Sequence, residues 1–152
     1  TYFPLVLSGC NNAIPYQPAS DLAVEVETLA ALNHQRANHG LPPLARNESF
    51  VQIARFHSLD MAASGDLSHT GSDGDTLEVR FGWLCESFTA GGEIVGASSS
   101  SSVAKMVDEW MKSAPHKALI LDPNFALAGV GYATLPGDEF NHYWTVDFGV
   151  KP

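Results

Sequence analysis

Basic residues are scarce in this chain. Lys and Arg total 8 against 17 Asp and Glu, a formal charge of −9, and so acidic a surface repels phosphate backbones rather than collecting them. Nucleic acid is thereby excluded as a partner, and a monomer is the expected state. Long apolar runs are missing as well: none approaches the roughly 20 residues that cross a bilayer before Gly, Pro or a charge interrupts it. No spanning helix is expected. At 152 residues the chain is too short for two large domains, whereas 45% hydrophobic and 16% charged residues suit one globular domain with its own core rather than a disordered polymer. There is no internal repeat, no HExxH helix and no G-x-S-x-G elbow. The 2 cysteines, Cys10 and Cys85, allow one intramolecular pairing.

What is present begins with an apolar stretch, Tyr2-Phe3-Pro4-Leu5-Val6-Leu7-Ser8-Gly9-Cys10, which has the look of a clipped export signal. Leu7-Ser8-Gly9-Cys10 is similar to the lipobox of bacterial lipoproteins, in which the cysteine is lipidated. Two alternatives stand beside lipidation of Cys10: an apolar arm lying on the domain, and a disulfide to Cys85, which only an oxidising compartment preserves. Lipidation and the disulfide both place the chain outside the cytoplasm. Residues 11–20, with Pro15 and Pro18, read as a tether, so the chain divides into a leader and tether over 1–20 and a domain over 21–152.

Within the domain, Ser20 or Asp21 can cap a helix whose apolar positions Leu22, Val26, Leu29 and Leu32 follow helical spacing until Gly40 and Pro42-Pro43 stop it. Asn47 is placed to cap a second helix, with Phe50, Ile53, Ala54, His57 and Met61 on a buried face and Gly65 at its end. His57 on that face reads as a core histidine bonded to backbone or carboxylate, with a cavity wall as the alternative. His69 sits in the turn chemistry of residues 66–74, followed by a short helix from Thr76 to about Phe81. Gly91 to Gly96 is a brief strand or bend. Ser102, ending a run of five serines, can cap a helix with Val103, Met106, Val107 and Trp110 as its apolar stripe; Pro115 limits it near Ser113, and His116 falls just beyond the helix end. Ala126 to Thr134 and Tyr143 to Phe148 carry strand signals around the turn Pro136-Gly137-Asp138. Helices early and a hairpin late predict an α+β domain with an antiparallel sheet covered by helices on both faces.

Nine fragments then occur in order: Asn33-His34-Gln35-Arg36, Leu41-Pro42-Pro43-Leu44, Ala54 to Met61, Ser68-His69-Thr70, Asp73-Gly74, Gly92-Glu93, Trp110 to His116, Gly129-Val130-Gly131 and Tyr143 to Gly149. Together they resemble the bacterial branch of the CAP superfamily of cysteine-rich secretory proteins, antigen 5 and pathogenesis-related proteins. The resemblance spans about residues 21 to 150. It implies a three-layer α-β-α sandwich with a mainly antiparallel sheet and an extracytoplasmic location. It also implies a cavity that many eukaryotic members line with two histidines and two glutamates. His69 and Glu93 match that pattern. Ser113 stands where those members place the second glutamate, with His116 three residues on, and Tyr143 stands where they place the second histidine. His142 is one position off and, on a strand, faces the other way. Ile94 follows Glu93 where an asparagine is usual.

Two imidazoles and a carboxylate from His69, Glu93 and His116 are a familiar set for a divalent ion, zinc above all, with one position left for water. The same three can instead form a metal-free hydrogen-bonded cluster, and a water-activating hydrolytic centre is a further reading. Ser68 beside His69 is no nucleophile pair by adjacency alone; Cys85, between Leu84 and Glu86, lacks the cationic surroundings of a reactive thiol; and a calcium loop begun at Asp73 meets Leu84 at its twelfth position. Trp83, Trp110, Trp144, Phe81, Phe88 and Tyr143 offer either core or an apolar groove. The expectation is a secreted or lipid-anchored binding domain. His69, Glu93, His116, Ser113, Tyr143 and His57 line its cavity, a small apolar or peptide ligand fills the adjoining groove, and the membrane is touched only through the N-terminal anchor. An extracytoplasmic metal-dependent peptidase or esterase and a structural cell-envelope module are the alternatives.

Overall fold

The computed structural model describes residues 2–4, 14–135, 137 and 140–152. Cys10, the lipobox and residues 11–13 of the tether lie outside them, as do Pro136 and Asp138 of the expected turn. In chain order the elements are β1 (Tyr2–Pro4), α1 (Leu22–Asn38), β2 (Ala45–Arg46), α2 (Glu48–Ser64), α3 (Leu77–Gly82), β3 (Ala90–Ser98), α4 (Val103–Lys112), α5 (Ala114–Ile120), β4 (Leu127–Thr134) and β5 (His142–Val150). The strands form one sheet in the order β1-β3-β5-β4-β2. Its neighbours are antiparallel except β2 and β4, which run parallel.

Local chemistry starts the helices where the sequence expects it. Asp21 accepts from the Val24 N–H, Asn47 from Phe50 and Ser102 from Lys105, each satisfying an amide that a helix leaves unbonded in its first turn. Gly65 ends α2 with φ 71°, a left-handed conformation that costs glycine nothing. Side chains alternate across the strands, so the sheet has two separately packed faces. Ile94, Val130, Trp144, Val146 and Phe148 pack with Leu32, Met106, Val107, Trp110 and Ile120, from α1, α4 and α5. The opposite face takes α2 and α3. Its seat is tight because glycines stand there: a Cβ on Gly129 would fall 2.3 Å from the Val51 nitrogen, and one on Gly131 2.2 Å from the Ala54 carbonyl carbon. The result is the α-β-α sandwich.

Two local expectations change and one helix is added. Apolar spacing marks α1, but the face it turns inward is Glu25, Thr28, Leu32 and Arg36, while Leu22 and Val26 are 53% and 56% exposed. Polar side chains occupy that face because partners await them: Arg36 donates to the carbonyls of Pro42, Ile120, Asp122 and Phe125, and Glu25 receives Arg55. The glycine-rich 91–96 segment is neither brief nor bent but the core of nine-residue β3, since its partner β5 supplies the bulk that glycines lack. His116 lies beyond the end of α4 as expected, and a further helix takes it up: Pro115 stands in the first turn of α5, where its missing N–H is no loss, and His116 follows it there.

Candidate functional site

The centre of the site is Glu93, in the middle of β3 and fully buried. A buried carboxylate must be paired or protonated, and four neighbours decide which. Arg80 Nη2 donates to Oε2 at 2.7 Å. His69 Nδ1 donates to Oε1 at 2.9 Å. His57 Nε2 lies 3.9 Å from the same oxygen. Asp147 is the register partner of Glu93 across β3 and β5, on the same face of the sheet. Burial opposes the Glu93 charge, but the His69 hydrogen bond and the electrostatic pull of Arg80 outweigh it and bring its pKa down to about 2. Asp147 goes the other way. Burial and the adjacent Glu93 charge push its pKa well above the ordinary carboxylate value. Neither of its oxygens receives a hydrogen bond from the described residues, so Asp147 is satisfied only as the neutral acid, donating its proton to Glu93.

The surrounding residues hold His69 in place. His57, on α2, donates Nε2–H to the Ser68 carbonyl at 2.6 Å. Burial lowers its pKa despite Glu93, which keeps the ring neutral. Arg80, from α3, donates to the His69 carbonyl at 3.1 Å and to the Asp75 carbonyl at 3.1 Å. The loop bearing His69 is thus fastened from two sides. Because Nδ1–H is committed to an ionised carboxylate, the lone pair of the ring lies on Nε2. That nitrogen belongs to a side chain 38% exposed. Asp75, within 3.7 Å of Arg80, is raised to about 6 by burial and by Asp73 despite the guanidinium. The α3 helix that carries Arg80 is seated by Phe81, stacked on Phe50 at 5.0 Å.

Beside this cluster, on the outer edge of β3, runs a groove of about 310 Å³ between Leu67 on one bank and α4 and α5 on the other. Met106 and Trp110 form its apolar wall, and Ser113 and His116 its far end. Burial lowers the His116 pKa, and His69 is close enough to lower it further; its Nδ1 is buried without a partner among the described residues. Of the six residues expected around one cavity, His57, His69 and Glu93 therefore meet in the polar cluster. Ser113 and His116 line the groove, and Tyr143 packs in the core against Met61, Ala62 and Val95. His142 faces the other way, and its Nδ1 shares a hydrogen bond of 2.5 Å with the Tyr132 hydroxyl. Of the six aromatic residues that could have lined a groove, five are buried, with Trp110 alone of these backing the groove; Trp83 is half-exposed, edge-on to Phe56. Cys85 is disulfide-bonded and offers no thiolate.

Sequence reasoning missed Arg80 and Asp147 as site residues. The Asp147 signal was a lone carboxylate inside the apolar strand Val146-Asp147-Phe148; Arg80 carried no signal apart from the fold. As a metal site the cluster fits in one way only. Both Glu93 oxygens are engaged by protein donors, so Glu93 is placed as the carboxylate that orients a ligating histidine rather than as a ligand. His69 Nε2 and His116 Nδ1 have no hydrogen-bond partner among the described residues, and neither does the fully buried His57 Nδ1. Among the described residues no group of three or more His, Cys, Asp or Glu side chains converges as a metal-holding set.

A model of the cysteine-rich secretory protein family, CAP, matches residues 29–148. The uncharacterized protein YkwD of Bacillus subtilis is 32% identical over 138 residues, covering 90% of this chain and 51% of that protein. An extracellular protein containing an SCP domain from Bacillus anthracis superposes with TM-score 0.72 at 26% identity, over 85% of this chain and 41% of its own. An outer surface protein of Borrelia burgdorferi shares the fold, with TM-score 0.78 at 16% identity over 91% of this chain and 100% of its own. The chain thus spans about half the length of the Bacillus relatives it matches.

Proposed function

We propose, from the premise that this chain belongs to the cysteine-rich secretory protein (CAP) family, that it is an extracytoplasmic binding domain whose ligand lies in the groove beside β3 with His69 as its polar anchor. The observation that carries this reading is the fastening of His69: a ring tied through Nδ1 to buried, ionised Glu93 presents Nε2 in one orientation, two residues from Leu67 and near enough to His116 to act on it, and both of those residues line the apolar groove. Binding sites of this type combine a mostly apolar wall with a few fixed polar groups. The disulfide at Cys85 supports an oxidising compartment, and the Bacillus anthracis relative is described as extracellular. No helix among the described residues is long and apolar enough to cross a membrane.

A divalent metal is the second reading, favoured by the unpartnered nitrogens that His69 and His116 offer. His69 and His116 would hold the ion, zinc by donor type, with Glu93 fixing the first ring. Bound there, the ion would polarise or position a ligand. Titration of the protein with 1-anilinonaphthalene-8-sulfonate and, separately, with zinc tests both readings. The probe should bind wild type and be weakened by Met106→Glu. Zinc should bind wild type and lose at least about tenfold in affinity in His69→Ala. A protein that binds neither overturns the binding reading. Cleavage of peptide or ester substrates by the zinc-loaded protein, lost in His69→Ala, would make it a hydrolase instead.

A further inference from the structure

The outer edge of β3 is only partly used. β1 pairs with Ala90, Gly91 and Gly92; from Glu93 to Ser98, β3 pairs with β5 alone among the described residues. Which backbone groups face outward follows from the alternation of antiparallel ladders. The Leu135 N–H donates to the Asn141 carbonyl where the β4 and β5 hairpin closes, so Tyr143, Thr145 and Asp147 turn their backbone groups to β4. His142, Trp144 and Val146 then turn theirs to β3, where they face Ser98, Gly96 and Ile94. Glu93, Val95 and Ala97 are left pointing away from the sheet. Trp110 agrees with this assignment, donating Nε1–H to the Val95 carbonyl at 3.0 Å.

An open edge is commonly blunted by lysine, proline or a bulge. Here it reads Val95-Gly96-Ala97-Ser98, small and uncharged, and the groove runs along it. Leu67, 47% exposed, forms one bank. The other bank is Met106 and Trp110, with Lys105 and Glu109 outside them. Gly96 lets α4 pack close on the strand: a Cβ there would fall 2.3 Å from the Met106 sulfur.

We propose that this edge takes an extended segment of another polypeptide as an added antiparallel strand, in line with β1 and bonded to the outward N–H of Val95 and the outward N–H and carbonyl of Ala97, the Val95 carbonyl being taken by Trp110. The proposal rests on the groove reading above and names its ligand class. Continuity decides the occupant, because β1 already lies antiparallel on the same edge of β3, and what continues that track is peptide backbone. A lipid chain has no donors and acceptors to match the alternating edge groups, whereas strand addition takes affinity from main-chain bonds and specificity from alternate side chains. Ligand residues turned toward α4 rest on Met106 and Trp110 and should be apolar. Those turned the other way meet Leu67 and His69.

The test selects a random dodecapeptide display library against the protein and resynthesises the enriched sequences for titration. Amide exchange is then read with and without each peptide. Enriched peptides should alternate apolar residues. Their binding should slow exchange at Val95 and Ala97 and leave Gly96, already bonded to β5, unchanged. Ala97→Pro removes one outward N–H without touching a β5 bond and should weaken binding by about tenfold or more. The exchange measurement on wild type decides the matter if that variant misfolds. Failure to enrich, undiminished binding to Ala97→Pro, or unchanged exchange at Val95 and Ala97 overturns strand addition. Protection of both amides without peptide in the protein's longest natural form also overturns it, since the edge would then be covered by its own chain. Anilinonaphthalene or zinc binding that survives any of these outcomes leaves the groove reading standing alone.

Discussion

Two arginines are buried against glutamates in this domain, and the two pairs are built differently. Arg55 and Glu25 join α2 to α1 as one cation for one anion. Arg55 Nε reaches both carboxylate oxygens, Nη2 reaches Oε2 at 2.7 Å, and Nη1 is taken by the Gln17 carbonyl. Around Arg80 the count is unequal. One guanidinium serves Glu93, Asp75 and Asp147, two imidazoles crowd in, and among the described residues Arg80 Nε has no acceptor and neither Asp147 oxygen has a donor. A matched pair holds two helices together and nothing more. A cluster with surplus acid has to settle where protons sit, and that keeps groups of changeable charge beside the groove.

The largest expected effect comes from removing either cation. Arg55→Met and Arg80→Met should each cost about 3–5 kcal/mol in denaturant unfolding, because each strands a buried carboxylate. The difference appears in the repair. Arg55→Met with Glu25→Leu should return to within about 1 kcal/mol of wild type and bind zinc and the anilinonaphthalene probe normally. Arg80→Met with Glu93→Leu should lose zinc binding whatever its stability, since no carboxylate then orients the His69 ring.

Next in size is the pH dependence. Asp147 keeps its proton in the folded protein well above the ordinary carboxylate pKa, so above about pH 4 the unfolded chain binds fewer protons than the folded one, and stability falls as pH rises through that window. His57, held neutral by burial, acts oppositely: stability falls as pH drops below about 6.5. Glu93, held at about 2, adds a further loss below its ordinary value of 4.5. Urea midpoints from pH 3 to 9 should therefore pass through a maximum. A flat profile across that range would show that the cluster does not govern stability.

Asp147→Asn sharpens the same point on a smaller scale. Its amide donates to Glu93 without a proton to lose, so the variant should match wild type within about 1 kcal/mol at pH 5 and gain on it steadily toward pH 8. The smallest effect on stability is His69→Ala, under about 1 kcal/mol for so exposed a ring, and it should still abolish zinc binding. A large loss of stability in that variant would make His69 part of the scaffold and erase the distinction between the two clusters.

What could be read from the sequence follows the same division. α2 was legible in full, cap to C-terminal glycine, because its inward face is apolar and its period unmistakable. α1 was legible as a helix only; its inward face is Glu25, Thr28 and Arg36, and no hydrophobic pattern reports a face that is satisfied by hydrogen bonds. β3 hid behind its glycines. His69 and Glu93 were found through the family resemblance, which marks residues in order, but Asp147 belongs with Glu93 only through the register of β3 and β5. Arg80 joins them only because stacked phenylalanines seat α3. Both are facts about which strands and helices meet, and local propensity does not contain them.

The glycines beneath α2 set a tolerance for everything above them. His57 rides on that helix and Glu93 on the sheet, so the gap between imidazole and carboxylate is the gap between two layers, fixed by the bare backbone of Gly129 and Gly131. One added methyl at either position would act as a shim, lifting the helix and detuning the acid cluster from a site that touches no ligand. A lineage carrying this architecture is thus free to rewrite its groove and change what it captures, while the two positions without side chains stay as they are.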